Sequence, residues 1–253
     1  MRILGIIPAR FASTRLPGKP LADIGGRSMV QRVWEQARQC DALDHVIVAT
    51  DDARIVGHVQ QFGADVVLTR QDHPSGTDRC HEAMQTAPGG PYDAVVNIQG
   101  DEPFIAPAQI AEVCHALNEA PDGLATLAHV VSHDGSLDDP NTVRVVTDVH
   151  MNALYFSRAT IPFLREGANG PRHARFRYLQ HVGIYGYTVP TLARIVAMAP
   201  SSLERAEGLE QLRWLENGLR IRVGLTAFPS FSVDTPADLE EARERATEDE
   251  LRP

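Results

Sequence analysis

Lysine is almost missing from this 253-residue chain: there is one, Lys19, against twenty-three arginines. Acids outnumber bases and leave a net charge of −9, which excludes a general nucleic-acid binder, because such a protein needs a basic face to displace counterions from phosphates. Cysteine is scarce as well. Cys40, Cys80 and Cys114 are odd in number and lack CxxC spacing, so neither a disulfide framework nor a zinc site is expected. No apolar run approaches the roughly 20 residues of a membrane span. No basic start is followed by an apolar core of about 7–15 residues and a cleavage site, and a soluble, cytoplasmic chain without membrane insertion is expected. Neither GxGxxG nor GxxxxGK[ST] occurs around Gly18-Lys19, where Pro20 follows; this disfavours a dinucleotide fold or a P-loop ATPase there.

What is present is a hydrophobic fraction of 43%, ample for one large α/β domain. Short apolar runs such as RILGIIP from Arg2, HVIVAT over His45–Thr50, ADVVLT from Ala64 and AVVNIQ over Ala94–Gln99 alternate with helical patterns. Those patterns begin near Ser28, Asp51, Thr77 and Pro107. Continuous Val/Ile-rich strands between helices imply a Rossmann-like, doubly wound, mostly parallel sheet, a layer sandwich. The later chain differs: LATLAHVV, VRVVTD, ALYFSRATI and HVGIYGYTV read as strands close enough to pair antiparallel. The expected organisation is a single domain over 1–253 with a small β-rich insertion, residues about 130–190. Leu164–Arg175 reads as a Gly/Pro/Arg-rich mobile loop, ERAEGLEQLRWLENG as a helix, IRVGLTAF as a strand, and the acidic stretch after Asp234 as an exposed helix that frays.

The chemistry concentrates where strands end. IIPARFASTRLPGKP, from Ile6 to Pro20, follows the first strand and crowds Arg10, Arg15, Pro17 and Gly18 around Lys19. A compact ammonium suits the inside of a phosphate-wrapping loop, and the carboxyl end of a strand in an open α/β sheet is where phosphates sit. Asp101 in IQGDEP and Asp234 in FSVDTPADLE each follow a strand. As a pair they offer hard oxygen ligands of the kind Mg²⁺ takes, completing its octahedron with water and substrate phosphates. Each has a plainer reading: Asp101 as a turn residue, Asp234 as the lead-in to a helix capped by Thr235. Glu102 reads as a neighbour rather than a ligand. Ser75-Gly76-Thr77-Asp78-Arg79 is either an ordinary capped helix start or a wall for a base or ribose. His181 and Tyr185 share one strand face and could read a sugar's hydroxyls and carboxylate, or be core. Glu210 and Gln211 could be helix surface only.

Taken in order, IIPARFASTRLPGKPL, SGTDR, VVNIQGDEP, ALYFSRATIP, HVGIYGY, LEQLR and VDTPADLE resemble the 3-deoxy-manno-octulosonate (Kdo) cytidylyltransferases, and the resemblance covers essentially the whole chain. It implies the nucleotidyltransferase layer sandwich, transfer of CMP from CTP to the anomeric hydroxyl of Kdo with release of pyrophosphate, Mg²⁺ dependence, a homodimer, and a place in lipopolysaccharide synthesis. The dimer would form through the β-rich half, which would also bind the sugar. By matching position, Ala9, Arg10, Arg15 and Lys19 would hold the CTP phosphates, and Ser75, Gly76 and Arg79 the cytidine side. Asp101 and Asp234 would bind Mg²⁺, with Arg10, Lys19 and both aspartates catalytic. Gln99, Arg158, His181, Tyr185, Glu210 and Gln211 would line the sugar-acid pocket. Asp78 stands where many relatives have Glu, and Leu164–Arg177 diverges. The same chemistry on an 8-amino Kdo analogue or another sugar acid, and a non-catalytic nucleotide-binding regulator, are the alternatives.

Overall fold

The computed structural model describes residues 1–12, 16–165 and 170–250, with side chains to residue 247. They form two compact units, Met1–Ala111 with Ser230–Pro253, and Glu112–Pro229. The first unit opens with β1 (Ile3–Ala9), the small antiparallel pair β2 (Asp23–Ile24) and β3 (Arg27–Ser28), and α1 (Met29–Ala37). It continues through β4 (His45–Thr50), α2 (Ala53–Gln61), β5 (Asp65–Leu68), α3 (Gly76–Thr86) and β6 (Ala94–Asn97). The unit boundary falls within α4 (Pro107–Asn118).

Four strands lie in the order β6-β1-β4-β5, all parallel, with Ile6 opposite both Asn97 and Ile47. Leu4, Ile6, Ile7, Ile47, Val48 and Val95 are fully buried, so alternate residues on both faces are covered, as a parallel sheet between helix layers requires. The Rossmann-like sandwich read from the sequence is therefore found, and Ser28 caps α1 by accepting from the Gln31 N–H at 3.2 Å.

The second unit holds β7 (Leu124–Val130), β8 (Arg144–Thr147), β9 (Ala153–Ser157), α5 (Arg172–Arg175), β10 (Leu179–Thr188), α6 (Val189–Val196), α7 (Ser202–Glu207), α8 (Gln211–Glu216) and β11 (Arg222–Thr226). β10 runs antiparallel to β7 and β8, β8 antiparallel to β9, and β11 parallel to β7. Residues 130–190 lie within this unit.

Several local expectations need correction. The strand read as HVGIYGYTV ends at Thr188, and Val189 already belongs to a helix, α6, with Pro190 in its first turn, where the missing N–H costs nothing. ERAEGLEQLRWLENG is two helices rather than one, because Gly208 turns left-handed at φ 64° and ends α7, which begins with a Ser201/Glu204 capping box. The segment read as a mobile loop contains α5: both oxygens of Asp134 accept from its first amides, Arg172 N–H at 2.8 Å and His173 N–H at 2.9 Å. Residues 166–169 of that segment lie outside the described ones. The strand expected over Ala94–Gln99 stops at Asn97, handing the next residues to the turn that carries Asp101.

The acidic stretch is not a frayed, exposed helix. In α9 (Pro236–Glu250), Leu239, Ala242 and Ala246 are buried with Ile24, Met29 and Val233, while Glu240, Glu241 and Glu244 are exposed. Burying a side chain such as Leu239 contributes about 1.5–3 kcal/mol, more than fraying of a charged helix end would return.

Candidate functional site

A cavity of about 480 Å³ opens in the first unit, lined by Pro8, Ala9, Arg10, Ala12, Lys19, Pro20, Gly76, Arg79, Gln99, Gly100, Asp101 and Asp234. Its walls are the carboxyl ends of β1 and β6 and the N-terminus of α3. Gly100 is required here, since a Cβ would stand 2.6 Å from the Pro8 carbonyl oxygen. Gly18 is required by conformation: at φ 70° it caps a single 3₁₀ turn over Lys19–Leu21, and its N–H reaches back to Phe11 O at 3.1 Å, closing the basic loop.

Lys19 is the centre of the arrangement. Its Nζ donates to Asp101 Oδ2 at 2.8 Å and to Asp234 Oδ1 at 3.0 Å, with the ammonium mostly buried. The two carboxylates come from distant chain segments, joined by the Val233 N–H, which donates to Asp101 O at 2.9 Å. Thr235 caps α9 by accepting from Asp238 N–H, while Asp238 Oδ2 accepts from the amides of Asp234 and Thr235. That leaves the Asp234 side chain outside the cap and on Lys19.

Glu102 is a neighbour and not part of the cluster. It is buried and accepts from Ser230 Oγ at 2.7 Å; burial raises its pKa to about 7, the Ser230 bond opposing and the Asp101 charge assisting. Arg79 is 1% exposed. Its Nη1 donates to Thr69 Oγ1 at 2.5 Å and to Arg70 O at 3.3 Å, and Asp51 Oδ1 stands 3.4 Å away. Burial lowers its pKa, with the Asp51 charge opposing. Asp51 and Thr69 were not singled out in the sequence. Asp51 carried a usable signal as a carboxylate directly after a strand, whereas nothing marked Thr69.

The cavity thus gathers Ala9, Arg10, Lys19, Gly76, Arg79, Gln99, Asp101 and Asp234 from the residues expected. Ser75 stands outside its lining and caps α3, accepting from Asp78 N–H at 3.2 Å and donating to Asp78 Oδ2 at 2.6 Å. The aspartate at 78 is therefore a working cap partner. Arg15 lies outside the described residues.

The remaining expected residues belong to the second unit. His181 and Tyr185 share a face of β10, though not through simple alternation. A bulge lets three steps on β10, from Val182 to Tyr185, pass one step on β7, from Leu127 to Thr126. Parity survives, and the two rings become neighbours with centroids 5.4 Å apart; Phe156 meets His181 edge-on at 5.1 Å. Burial lowers the His181 pKa to about 3, and burial with the Glu210 charge raises Tyr185 well above its ordinary value, so both are neutral at pH 7. Trp214 packs edge-on against Tyr185 at 5.0 Å. Gln211 is buried and not helix surface. Arg158 is held by Glu207, its Nε donating to Glu207 O at 2.9 Å and its N–H to Glu207 Oε2 at 3.0 Å. Thr126, Phe156, Glu207 and Trp214 were not identified from sequence, because each acts through a neighbour distant along the chain.

A cation between two aspartates, arginines nearby and a Gly-rich wall form an anion site suited to phosphates. The cytidylyltransferase family model matches residues 4–221. A 3-deoxy-manno-octulosonate cytidylyltransferase of Parabacteroides distasonis is 48% identical over 246 residues, 96% of this chain and 97% of its own. Another, of Bacteroides thetaiotaomicron, is 49% identical over 247 residues, 96% of this chain and 98% of its own. The chain belongs to the 3-deoxy-manno-octulosonate cytidylyltransferase family. A solved member, the CMP:2-keto-3-deoxy-manno-octonic acid synthetase complexed with CTP, matches at 41% identity and TM-score 0.89, covering 98% of this chain and 100% of its own. A glucose-1-phosphate thymidylyltransferase structure from Bacillus anthracis, at 19% identity and TM-score 0.65, shares the fold alone. Among the described residues, no helix is long and apolar enough to cross a membrane.

Proposed function

We propose that this chain transfers CMP from CTP to the anomeric hydroxyl of Kdo, releasing pyrophosphate, as a cytoplasmic, Mg²⁺-dependent homodimer. The observation that carries the reading is the convergence of Asp101 and Asp234 on Lys19 inside a cavity also lined by Arg10 and Arg79.

The two carboxylates fit a divalent cation. Both hold the same ammonium within 3.0 Å, so one small cation is within reach of both. Among the described residues no group of three or more metal-binding side chains occurs, which suits an ion whose other positions are filled by water and nucleotide phosphates. Such an ion would supply charge neutralisation at the phosphates and acidify the attacking hydroxyl.

The protein's own residues do the rest by position and charge. Arg10, Arg15 and Lys19 neutralise the triphosphate, so that charge building on the leaving pyrophosphate meets cations already in place. Gly76 and Arg79 face the cytidine, with Arg79 fixed by Thr69 and Asp51. Ser75 holds the helix start behind them. Gln99, Arg158, His181, Tyr185, Glu210 and Gln211 bind and orient the sugar acid. We read residues 1–253 as one nucleotidyltransferase domain, in which the β-rich residues about 130–190 bind the sugar and make the dimer.

The test is pyrophosphate release from CTP and Mg²⁺ with Kdo, its 8-amino analogue and N-acetylneuraminate offered separately. Fast release with Kdo alone is expected. Release only with another acid would keep the chemistry and change the acceptor; no release with any would sink the reading.

A further inference from the structure

Thr126, in β7, is fully buried at the bulge of β10. Its Oγ1 lies 2.7 Å from Ile184 O, 3.2 Å from Val182 O and 3.0 Å from His181 Nε2. Both carbonyls can only accept, and a hydroxyl has one proton to give. That proton goes to the bulge, to the closer Ile184 oxygen. The oxygen's lone pairs can then only accept from the ring, so Nε2 carries the hydrogen and Nδ1 keeps its lone pair. Phe156 and Tyr185 hold the ring plane from two sides, which prevents it from turning to offer the other nitrogen.

We propose that Thr126 is a positioning residue for acceptor binding: by closing the β10 bulge it fixes His181 as the Nε2–H tautomer, so that Nδ1 accepts a hydrogen bond from a sugar-acid hydroxyl. The proposal deepens the functional reading above and rests on it for the identity of the acceptor. It gives one buried hydroxyl two linked tasks. The bulge brings His181 and Tyr185 side by side, and the hydroxyl that satisfies the bulge carbonyls also decides which histidine nitrogen is an acceptor. A valine would fill the same space and do neither.

The experiment pairs histidine-ring nitrogen NMR on the full-length protein with steady-state kinetics. The His181 signal is assigned by its loss in His181→Gln. In the wild type, Nε2 is expected protonated and Nδ1 bare. Thr126→Val is expected to release that preference, seen as a Nδ1–H or mixed signal, and to raise KM for Kdo about tenfold while KM for CTP stays within twofold. Thr126→Ser should restore both. A wild-type His181 protonated on Nδ1 overturns the proposal without any variant, and so covers the case in which Thr126→Val does not fold. An unchanged tautomer in Thr126→Val, or equal changes in both KM values, also overturns it. Failure of the functional reading looks different: the wild type would release no pyrophosphate with Kdo, while the NMR would still decide whether Thr126 sets the ring.

Discussion

The cavity of the first unit and the His181 face of the second solve opposite problems. Around Lys19, charges from three separate segments are paired with one another, so the site is built from close, partly buried ionic contacts. Around His181, that ring and the Tyr185 hydroxyl are held neutral by burial, beside Phe156 and Trp214, and orientation comes from a bulge and one hydroxyl. A site for highly charged phosphates tolerates a simple list of cations and carboxylates. A site for a polyhydroxylated acid needs donors and acceptors of fixed sense, which only packing supplies.

If that contrast holds, the largest effect should come from the carboxylates. Asp101→Asn or Asp234→Asn should lower kcat by roughly 10³-fold, with KM for Kdo changed less than threefold, since the loss falls on charge at the phosphates. A kcat within tenfold of wild type would remove the metal assignment. Lys19→Met should come next, lowering kcat/KM for CTP by about 10²-fold. With its ammonium gone, the carboxylate pair should also bind Mn²⁺ more tightly in the absence of nucleotide, which electron paramagnetic resonance of free Mn²⁺ reads directly; unchanged binding would mean that Lys19 and the metal do not compete.

The second unit should answer to pH instead. Burial holds the folded His181 pKa at about 3, below its unfolded value, so the neutral ring contributes stability above the unfolded pKa and loses it as pH falls towards 3. Between pH 7 and pH 4.5 the wild type should lose on the order of 2–3 kcal/mol in urea unfolding from this group. His181→Gln should lose that much less over the same interval. Smallest is the Asp134 cap of α5, whose pKa is lowered first by the His173 amide; Asp134→Ala should lower the urea midpoint only slightly and leave CTP binding unaltered.

The same contrast explains what could be read beforehand. The strands of the first unit carry β-branched runs, and Asp101 comes four residues after β6, so its place at a sheet edge was legible along the chain; Lys19 comes ten residues after β1 and Asp234 eight after β11, and only the folded chain brings them to it. Thr235, Pro236 and Asp238 announced a helix start and left Asp234 over. In the second unit, the spacing of His181 and Tyr185 suggested one face but concealed the bulge, because extra residues in one strand are visible only against its partner. Thr126 looks like any strand threonine, and Glu207 like any helix-end acid. Asp134 could not be linked to residue 172 without knowing that the two segments meet. The final helix reads as exposed because acids dominate its composition, while the Leu239, Ala242 and Ala246 stripe that it buries is short and spaced among them.

The route of the chain has a consequence for biosynthesis. Asp234 and the α9 residues that pack on Ile24 and Met29 follow the whole of the second unit in sequence, though they belong to the first. During translation Lys19 therefore emerges long before one of its two carboxylates. Ribosome-bound chains that end within the second unit can form the parallel strands, but they lack the second half of the cation seat and a wall of its supporting core. The order of synthesis makes the Lys19 cluster the last part to be completed, after the whole of the second unit has been made.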